Sequence, residues 1–125
     1  GFWDIAKYSQ HPLVATHSNS HTLCPHTRNL TNRQLDAIKE TQGMVGVNFA
    51  PAFLRQDGKM LADTDIQIIV DHFKYLVDYL GEDHVGFGSD FDGAGFGSYS
   101  IRRPDNSRDG GRCSGCACLC ETDCR

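Results

Sequence analysis

Three short stretches of the chain have the composition of strands buried in a sheet. They cover Leu13 to Thr16, Met44 to Phe49 and His84 to Asp90. The middle stretch shows no alternation of apolar and polar residues, which is typical of a parallel strand covered by helices on both faces. Polar or glycine-containing segments follow each stretch, so the sequence predicts three separate strands.

A helix is predicted between the first two strands, and the end of another precedes them. Thr31 and Gln34 have the spacing of a capping box, in which each side chain bonds a free backbone donor at the helix start. Gly43 readily adopts the left-handed conformation that ends a helix, so this helix should cover Asn32 to Gln42. Residues 1–9 fit the last turns of an amphipathic helix.

A second complete helix is predicted between the second and third strands. It should begin near Asp63 or Thr64, where Gln67 completes a capping box if Thr64 is the cap, and it should end at Gly81. Apolar residues at spacings of three and four predict one broad stripe that faces a core. The stripe consists of Ile66, Ile69, Val70, Phe73, Leu76, Val77 and Leu80.

The order of these elements predicts the fold class. Helices and strands alternate, and such alternation forms right-handed β-α-β units around a parallel sheet. Each predicted strand ends near a polar residue, namely His17, Asn48 or Asp90, as in barrels whose site lies at the carboxyl ends of the strands. We therefore expect an α/β fold that forms an incomplete arc of a (β/α)8 TIM-type barrel, with about three parallel strands.

The composition changes after Gly93, so we divide the chain into two parts. Residues 1–93 form the predicted arc, and residues 94–125 form a segment rich in Gly, Arg and Cys without apolar periodicity. Five of the six cysteines lie in the last thirteen residues, and clustered thiolates are ligands for soft metals. An out-of-frame translation would also produce this composition, and we favour that interpretation.

Charge and hydropathy exclude several classes of partner. The formal net charge is −4, so the chain lacks the basic surface that nucleic acids or acidic membranes require. No apolar run approaches the roughly 18 residues of a membrane span, and the start of the chain does not resemble a signal peptide. The 39% of hydrophobic and 22% of charged residues are typical of one soluble domain. The chain begins at Gly1 instead of Met, so we expect a processed chain or a fragment.

A histidine and an aspartate at strand ends, with an arginine in the adjacent loop, suit metal-assisted hydrolysis. Imidazole and carboxylate are zinc ligands, and zinc makes a bound water acidic enough to yield hydroxide near neutral pH. Arg28 would bind a substrate carboxylate. Structural roles remain alternatives, with a hydrogen-bonded His17, a turn-forming Asp90 and a solvated Arg28. Surface or loop roles are expected for His21, His26, His72 and His84.

Three blocks of the sequence resemble a known family. They are ATHSNSHTLCPHTRNLTNRQLDAI, GMVGVNFAPAFL and DHFKYLVDYLGEDHVGFGSDFDG. In this order they are similar to consecutive blocks of the renal or membrane dipeptidase family, and most similar to its bacterial members. The resemblance covers about Phe2 to Gly93, and the bacterial type implies a cytoplasmic protein.

The resemblance implies a fold, a reaction and a site. Members of the family are (β/α)8 barrels that hold two zinc ions and hydrolyse dipeptides by metal-activated hydroxide. By position, His17 resembles a ligand of one zinc, and Arg28 resembles the residue that binds the terminal carboxylate of the substrate. Asp90 resembles the acid that lies close to the other zinc and moves a proton during cleavage.

The resemblance also implies that this chain holds an incomplete site. The family's His-x-Asp motif, its bridging glutamate and another zinc-binding histidine precede the blocks present here. Zinc needs three or four protein ligands, so we expect the chain alone to bind zinc poorly and to be inactive. Apolar helix faces left exposed would favour a homo-oligomer. Two rival functions stay open, which are another metal-dependent amidohydrolase on the same barrel and a non-catalytic Cys-rich metal-binding protein.

Overall fold

A computed structural model describes residues 1–90, so the predicted segment at 94–125 and its boundary at Gly93 lie outside the described residues. Within residues 1–90, helices and strands alternate in the predicted order. The elements are α1 (Phe2–Tyr8), β1 (Val14–Ala15), α2 (Asn32–Glu40), β2 (Met44–Val47), α3 (Pro51–Leu54), α4 (Ile66–Leu80) and β3 (Val85–Phe87), with a 3-10 turn at Glu82–His84 before β3.

The three strands form one parallel sheet in the order β1-β2-β3. Val14 pairs with Met44 across β1 and β2, and Val45 pairs with Val85 across β2 and β3. Helix α2 lies between β1 and β2 in the chain, and α4 lies between β2 and β3, as the crossovers of parallel strands require. The predicted α/β class is therefore confirmed, and residues 1–90 form an incomplete arc of a (β/α)8 barrel.

The core lies between the sheet and the two long helices. Val45 and Val47 of β2 belong to one apolar cluster with Leu35 and Ile38 of α2 and Leu76 of α4. All five side chains have 0% exposure, and burying a side chain of this size contributes about 1.5–3 kcal/mol. The core therefore holds β2 in place and fixes the strand end from which site residues emerge.

Helix α2 begins as predicted and ends slightly earlier. The Thr31 N–H donates to Gln34 Oε1 at 2.9 Å, which forms one half of the predicted capping box. The helix ends at Glu40 instead of the predicted Gln42. Thr41 instead connects the helix end to the start of the sheet, because the Leu13 N–H donates to Thr41 Oγ1 at 3.1 Å.

Helix α4 begins later than predicted. Its cap is Asp65, whose side chain accepts from the Gln67 N–H at 2.8 Å, whereas the Thr64 hydroxyl donates to the Leu61 carbonyl. The predicted apolar stripe is also too broad, since Ile66 and Val70 are exposed while the remaining members are buried or half-buried. None of the helices formed by residues 1–90 combines the length and apolar character needed to cross a membrane.

Helix α3 occupies a segment that the sequence predicts as a loop. Pro51 opens this single turn, and proline suits the first helical position because its missing N–H would have no helical partner there. The following loop is fixed by Arg55, whose Nη2 lies 2.7 Å from Oδ2 of Asp57. This ion pair holds the pKa of the Asp57 carboxyl well below its usual range. Helix α3 matters for the site because it carries Phe53.

Candidate functional site

The carboxyl ends of the three strands converge on the turn that carries His17. A Cβ atom on Gly46 or on Gly88 would overlap the carbonyl oxygen of Thr16. The Cβ on Gly88 would also lie 2.9 Å from the Cα of His17. Glycine at both positions therefore lets the turn lie against the ends of β2 and β3. The Ser18 N–H fixes the turn by donating to the carbonyl of Gly46 at 2.8 Å.

His17 lies between a hydroxyl group and a guanidinium group. Its Nε2 atom is 3.0 Å from Nη2 of Arg28, and its Nδ1 atom is 2.7 Å from Oγ1 of Thr16. A guanidinium group only donates hydrogen bonds, so Nε2 is the acceptor in its contact with Arg28. The lone pair with which a neutral imidazole binds a metal is therefore engaged by Arg28.

Arg28 is an exposed cation held at one edge of the site. Its Cζ atom lies 5.1 Å from the centroid of the Phe53 ring, and its backbone N–H donates to His26 Nδ1 at 3.2 Å. Among residues 1–90 no carboxylate forms an ion pair with Arg28. The guanidinium has more donors than its contact with His17 uses, so it is able to bind a ligand carboxylate.

Asp90 lies at the end of the third strand and is oriented by Asn48. The Asn48 Nδ2 group donates to Asp90 Oδ2 at 3.0 Å, and Asn48 itself is fully buried. Its Oδ1 atom accepts from the Ala50 N–H at 2.7 Å, so both ends of the amide are engaged. Asp90 has a φ of 64°, a left-handed conformation that is uncommon for a residue with a side chain. Within residues 1–90 the other carboxylate oxygen of Asp90 makes no hydrogen bond.

Two buried asparagines anchor the loop between His17 and Arg28. The Asn19 side chain bonds both backbone groups of Asn48, accepting from its N–H and donating to its carbonyl, each at 3.0 Å. Asn19 and Asn29 also donate to the same acceptor, the Phe53 carbonyl, at 3.2 and 2.8 Å. The loop that carries both candidate site residues is therefore tied to the end of β2 and to α3.

His72 supports the same loop from helix α4. Its Nδ1 accepts from the Ser20 N–H at 3.2 Å, and its Nε2 lies 2.9 Å from the Leu54 carbonyl, to which it donates. Burial lowers the pKa of His72, which is consistent with a neutral ring. The predicted surface or loop role is wrong, because His72 has 1% exposure. Its spacing of three from Ile69 and four from Leu76, both buried, is the sequence signal that indicates this position.

The predicted site residues gather at one edge of the sheet, but in two groups. His17 and Arg28 contact each other, whereas Asp90 is bonded to Asn48 at the neighbouring strand end. Neither Phe53 nor the two anchoring asparagines is predicted as a site residue from the sequence. No local pattern distinguishes these residues, because their partners come from distant parts of the chain. Asn48 did stand out, as a polar residue at the end of an apolar strand.

The donor atoms at this edge suit zinc in kind but not in number. The Nε2 atom of His17 and a carboxylate oxygen of Asp90 are both of the types that bind zinc. Within residues 1–90, however, no group of three or more His, Cys, Asp or Glu side chains is placed to hold a metal ion. These residues therefore form at most part of a metal site.

Comparison with protein families shows one match over most of the chain. Residues 1–103 match the family described as Membrane dipeptidase (Peptidase family M19). The match includes all three predicted site residues. It also covers every helix and strand described above.

Two relatives illustrate the extent of the similarity. The chain is 59% identical over 92 residues to an uncharacterized protein in the pqqA 5' region of Klebsiella pneumoniae, which covers 74% of this chain and 34% of the relative. It is 37% identical over 89 residues to the dipeptidase aclJ of Aspergillus oryzae, which covers 69% of this chain and 20% of that protein. The chain thus spans about a third or less of the length of these relatives.

A solved structure has the same arrangement. It is a crystal structure of a metallo peptidase from Rhodobacter sphaeroides liganded with a phosphinate mimic of the dipeptide L-Ala-D-Ala. The similarity has a TM-score of 0.73 at 58% sequence identity, and it covers 75% of this chain and 27% of that chain. The arc described above therefore matches about a quarter of a larger protein.

Proposed function

The chain belongs to the membrane dipeptidase family, and on this premise we propose that it forms one part of the active site of a zinc-dependent dipeptidase. The contact between Arg28 and His17 carries the proposal, because it joins a cation suited to a carboxylate with an imidazole suited to a metal. The dipeptide mimic bound by the Rhodobacter sphaeroides relative supports the same class of substrate.

Arg28 would bind the terminal carboxylate of the substrate. It is exposed, it has no carboxylate partner within residues 1–90, and its guanidinium is held over the ring of Phe53. A fixed cation limits how far the peptide bond lies from the substrate's carboxyl end. This limit favours dipeptides over longer peptides.

His17 would ligate zinc through Nε2, and Asp90 would ligate zinc through its carboxylate. When bound, zinc would polarise the peptide carbonyl and lower the pKa of a water molecule. Arg28 has to release Nε2 of His17 before that atom is available, because one lone pair serves one partner. The guanidinium that is released is then free to bind the substrate.

Asp90 would also move the proton during cleavage. Asn48 holds its Oδ2 atom at 3.0 Å, so Oδ1 is the atom that would take a proton from the attacking water and pass it to the leaving amine. Because Asn48 is fully buried and bonded at both ends of its amide, it fixes the direction of this carboxylate.

The chain alone would be inactive in this proposal, because the donors of residues 1–90 do not complete a zinc site. The remaining ligands would come from elsewhere in a complete barrel, and residues 1–93 would be the portion that contributes to catalysis. The cytoplasmic location implied by the bacterial resemblance remains a prediction.

A chimeric enzyme tests the proposal. Residues 1–90 would replace the matching segment of the Rhodobacter sphaeroides metallo peptidase, and the hydrolysis of L-Ala-D-Ala, of its C-terminal amide and of N-acetyl amino acids would be measured with zinc. We expect hydrolysis of the dipeptide, with strong losses in the variants His17→Ala, Arg28→Ala and Asp90→Asn.

The outcome of this assay distinguishes the proposed dipeptidase from another metal-dependent amidohydrolase. A folded, zinc-loaded chimera that cleaves no dipeptide would rule the proposal out. A preference for N-acetyl amino acids over the dipeptide would favour another metal-dependent amidohydrolase instead.

A further inference from the structure

We propose that Phe53 is a positioning residue, whose ring holds the Arg28 guanidinium in the orientation that receives a substrate carboxylate. This inference rests on the proposed function of Arg28 and adds a residue that determines the orientation of its guanidinium. Three features of the structure carry it, namely the ring contacts of Phe53, the anchoring of its backbone and the exposure of Arg28.

The ring of Phe53 contacts both ends of the short segment that carries Arg28. The Arg28 Cζ atom lies 5.1 Å from the ring centroid, within the range of a cation–π contact. The His26 ring packs against the same ring, with centroids 4.7 Å apart and planes tilted by 55°. His26 in turn accepts a hydrogen bond from the Arg28 N–H at 3.2 Å. The Phe53 ring thus contacts the Arg28 side chain directly and supports the Arg28 backbone through His26.

The position of the ring is itself fixed by the loop that it supports. The Phe53 carbonyl accepts hydrogen bonds from Asn19 at 3.2 Å and from Asn29 at 2.8 Å. Asn19 and Asn29 are both buried, so these bonds are shielded from water. Since Asn29 is the residue next to Arg28, this bond holds the backbone at Phe53 close to the backbone that carries Arg28.

An exposed arginine normally loses much rotamer freedom when it binds a ligand. A guanidinium already held over the Phe53 ring loses less of that freedom when the carboxylate arrives. A guanidinium has five N–H donors, and a contact with the face of an aromatic ring does not use them up, so donors remain for the carboxylate. Without the ring, the carboxylate should bind about two- to fivefold more weakly, which is the range of one exposed cation–π contact.

The substitution Phe53→Leu isolates the ring from the backbone anchor. Leucine keeps the apolar side chain and the carbonyl that binds both asparagines, and it removes only the aromatic face. Phe53→Tyr restores the face. Phe87→Leu is the matched control, because the Phe87 ring stacks on Phe73 at 5.2 Å, on α4.

The first measurement is made on the complete 125-residue chain without ligand. Ring currents should shift the NMR signals of the Arg28 side chain upfield in the wild type, in Phe53→Tyr and in Phe87→Leu, and the shift should be lost in Phe53→Leu. The side-chain amide signals of Asn19 and Asn29 report whether each variant keeps the anchored loop. Arg28 signals that do not change in a folded Phe53→Leu chain would overturn the inference.

The second measurement adds the ligand. L-Ala-D-Ala and its C-terminal amide are titrated at millimolar concentration into the same four proteins. Phe53→Leu should weaken binding of the dipeptide by about two- to fivefold and leave binding of the amide unchanged. Equal weakening of both ligands, or a Phe53→Tyr chain that behaves like Phe53→Leu, would also overturn the inference. If the wild type binds neither ligand, the NMR comparison decides whether Phe53 positions Arg28, and the chimeric enzyme decides separately whether the proposed function holds.

Discussion

The Nη2 atom of Arg28 lies 3.0 Å from the Nε2 atom of His17. The residue proposed to bind substrate and the residue proposed to bind metal therefore contact each other directly. Because a guanidinium only donates, Nε2 of His17 accepts in this contact through the lone pair with which an imidazole binds a metal. Occupation of that lone pair by a metal would free Arg28 for a carboxylate.

The planar guanidinium at position 28 predicts that replacing arginine by lysine raises the KM. In the chimeric enzyme, Arg28→Lys should raise the KM for L-Ala-D-Ala by about tenfold or more, because lysine keeps the charge but cannot bind a carboxylate with two parallel hydrogen bonds. Steady-state kinetics give the measurement. Arg33→Lys is the control, since the Arg33 guanidinium lies over the Trp3 ring at 4.6 Å and contacts neither His17 nor Phe53 among the hydrogen bonds and ring contacts of residues 1–90. Similar KM values for the two variants would count against the carboxylate role.

The hydrogen bond between Asn48 and Asp90 predicts that exchanging the two side chains restores stability that a single variant loses. Asn48→Asp places two carboxylates where an amide now donates at 3.0 Å, so it should lower the free energy of unfolding by about 1–3 kcal/mol or more. The double variant Asn48→Asp with Asp90→Asn puts the amide on the other side of the same contact and should recover much of this loss. Urea unfolding of the four chains measures the coupling. Additive losses would mean that the two side chains do not interact.

Burial of His72 predicts a loss of stability at acid pH. Its pKa is lowered in the folded chain relative to the ordinary value of 6.5, so the unfolded chain takes up its proton first as the pH falls. The stabilisation is therefore fully present above about pH 6.5 and decreases as the pH falls toward the folded pKa. Urea unfolding between neutral pH and pH 5 should show a steeper decline for the wild type than for His72→Gln. Parallel curves would indicate that His72 does not titrate differently on unfolding.

The Thr16 carbonyl lies very close to the ends of β2 and β3. This close approach predicts that alanine destabilises the chain at two nearby glycines and not at a third. Gly46→Ala and Gly88→Ala would each push a Cβ into the Thr16 carbonyl, and such overpacking should cost about 1–3 kcal/mol. Gly86→Ala is the matched control, because the nearest atom to its Cβ is the Met44 Sδ at 3.9 Å. Chemical unfolding of the three variants provides the comparison. A control as unstable as the other two would point to a general intolerance of β3 instead of this contact.

The two edges of the described sheet predict self-association. Val14 of β1 and Phe87 of β3 have exposures of 60% and 76%, and each lies on an edge strand of the three-stranded sheet. Exposed apolar edge strands favour pairing between chains. The chain should therefore elute above its monomer mass in light-scattering chromatography, and Phe87→Lys should shift it toward the monomer. Tyr8→Lys, which changes an exposed residue of helix α1 and not of an edge strand, should have little effect. A wild type that stays monomeric at high concentration would contradict this expectation.

Local patterns predicted most of the fold because the forces that form these elements are themselves local. The capping box at Thr31 and the apolar run of β2 each depend on residues only a few positions apart. The start of α4 was misplaced because Thr64 and Asp65 are adjacent and both are good caps. Helix α3 was missed because a four-residue turn is too short to show periodicity.

The sequence by itself determined the alternation of strands and helices, the parallel sheet and, through family resemblance, the three candidate residues His17, Arg28 and Asp90. Only the tertiary structure decided what holds those residues. Asn19 reaches a partner 34 positions away at Phe53, and Ser20 reaches one 52 positions away at His72. Contacts over such separations depend on how the chain packs as a whole, and no periodic pattern in the sequence records them.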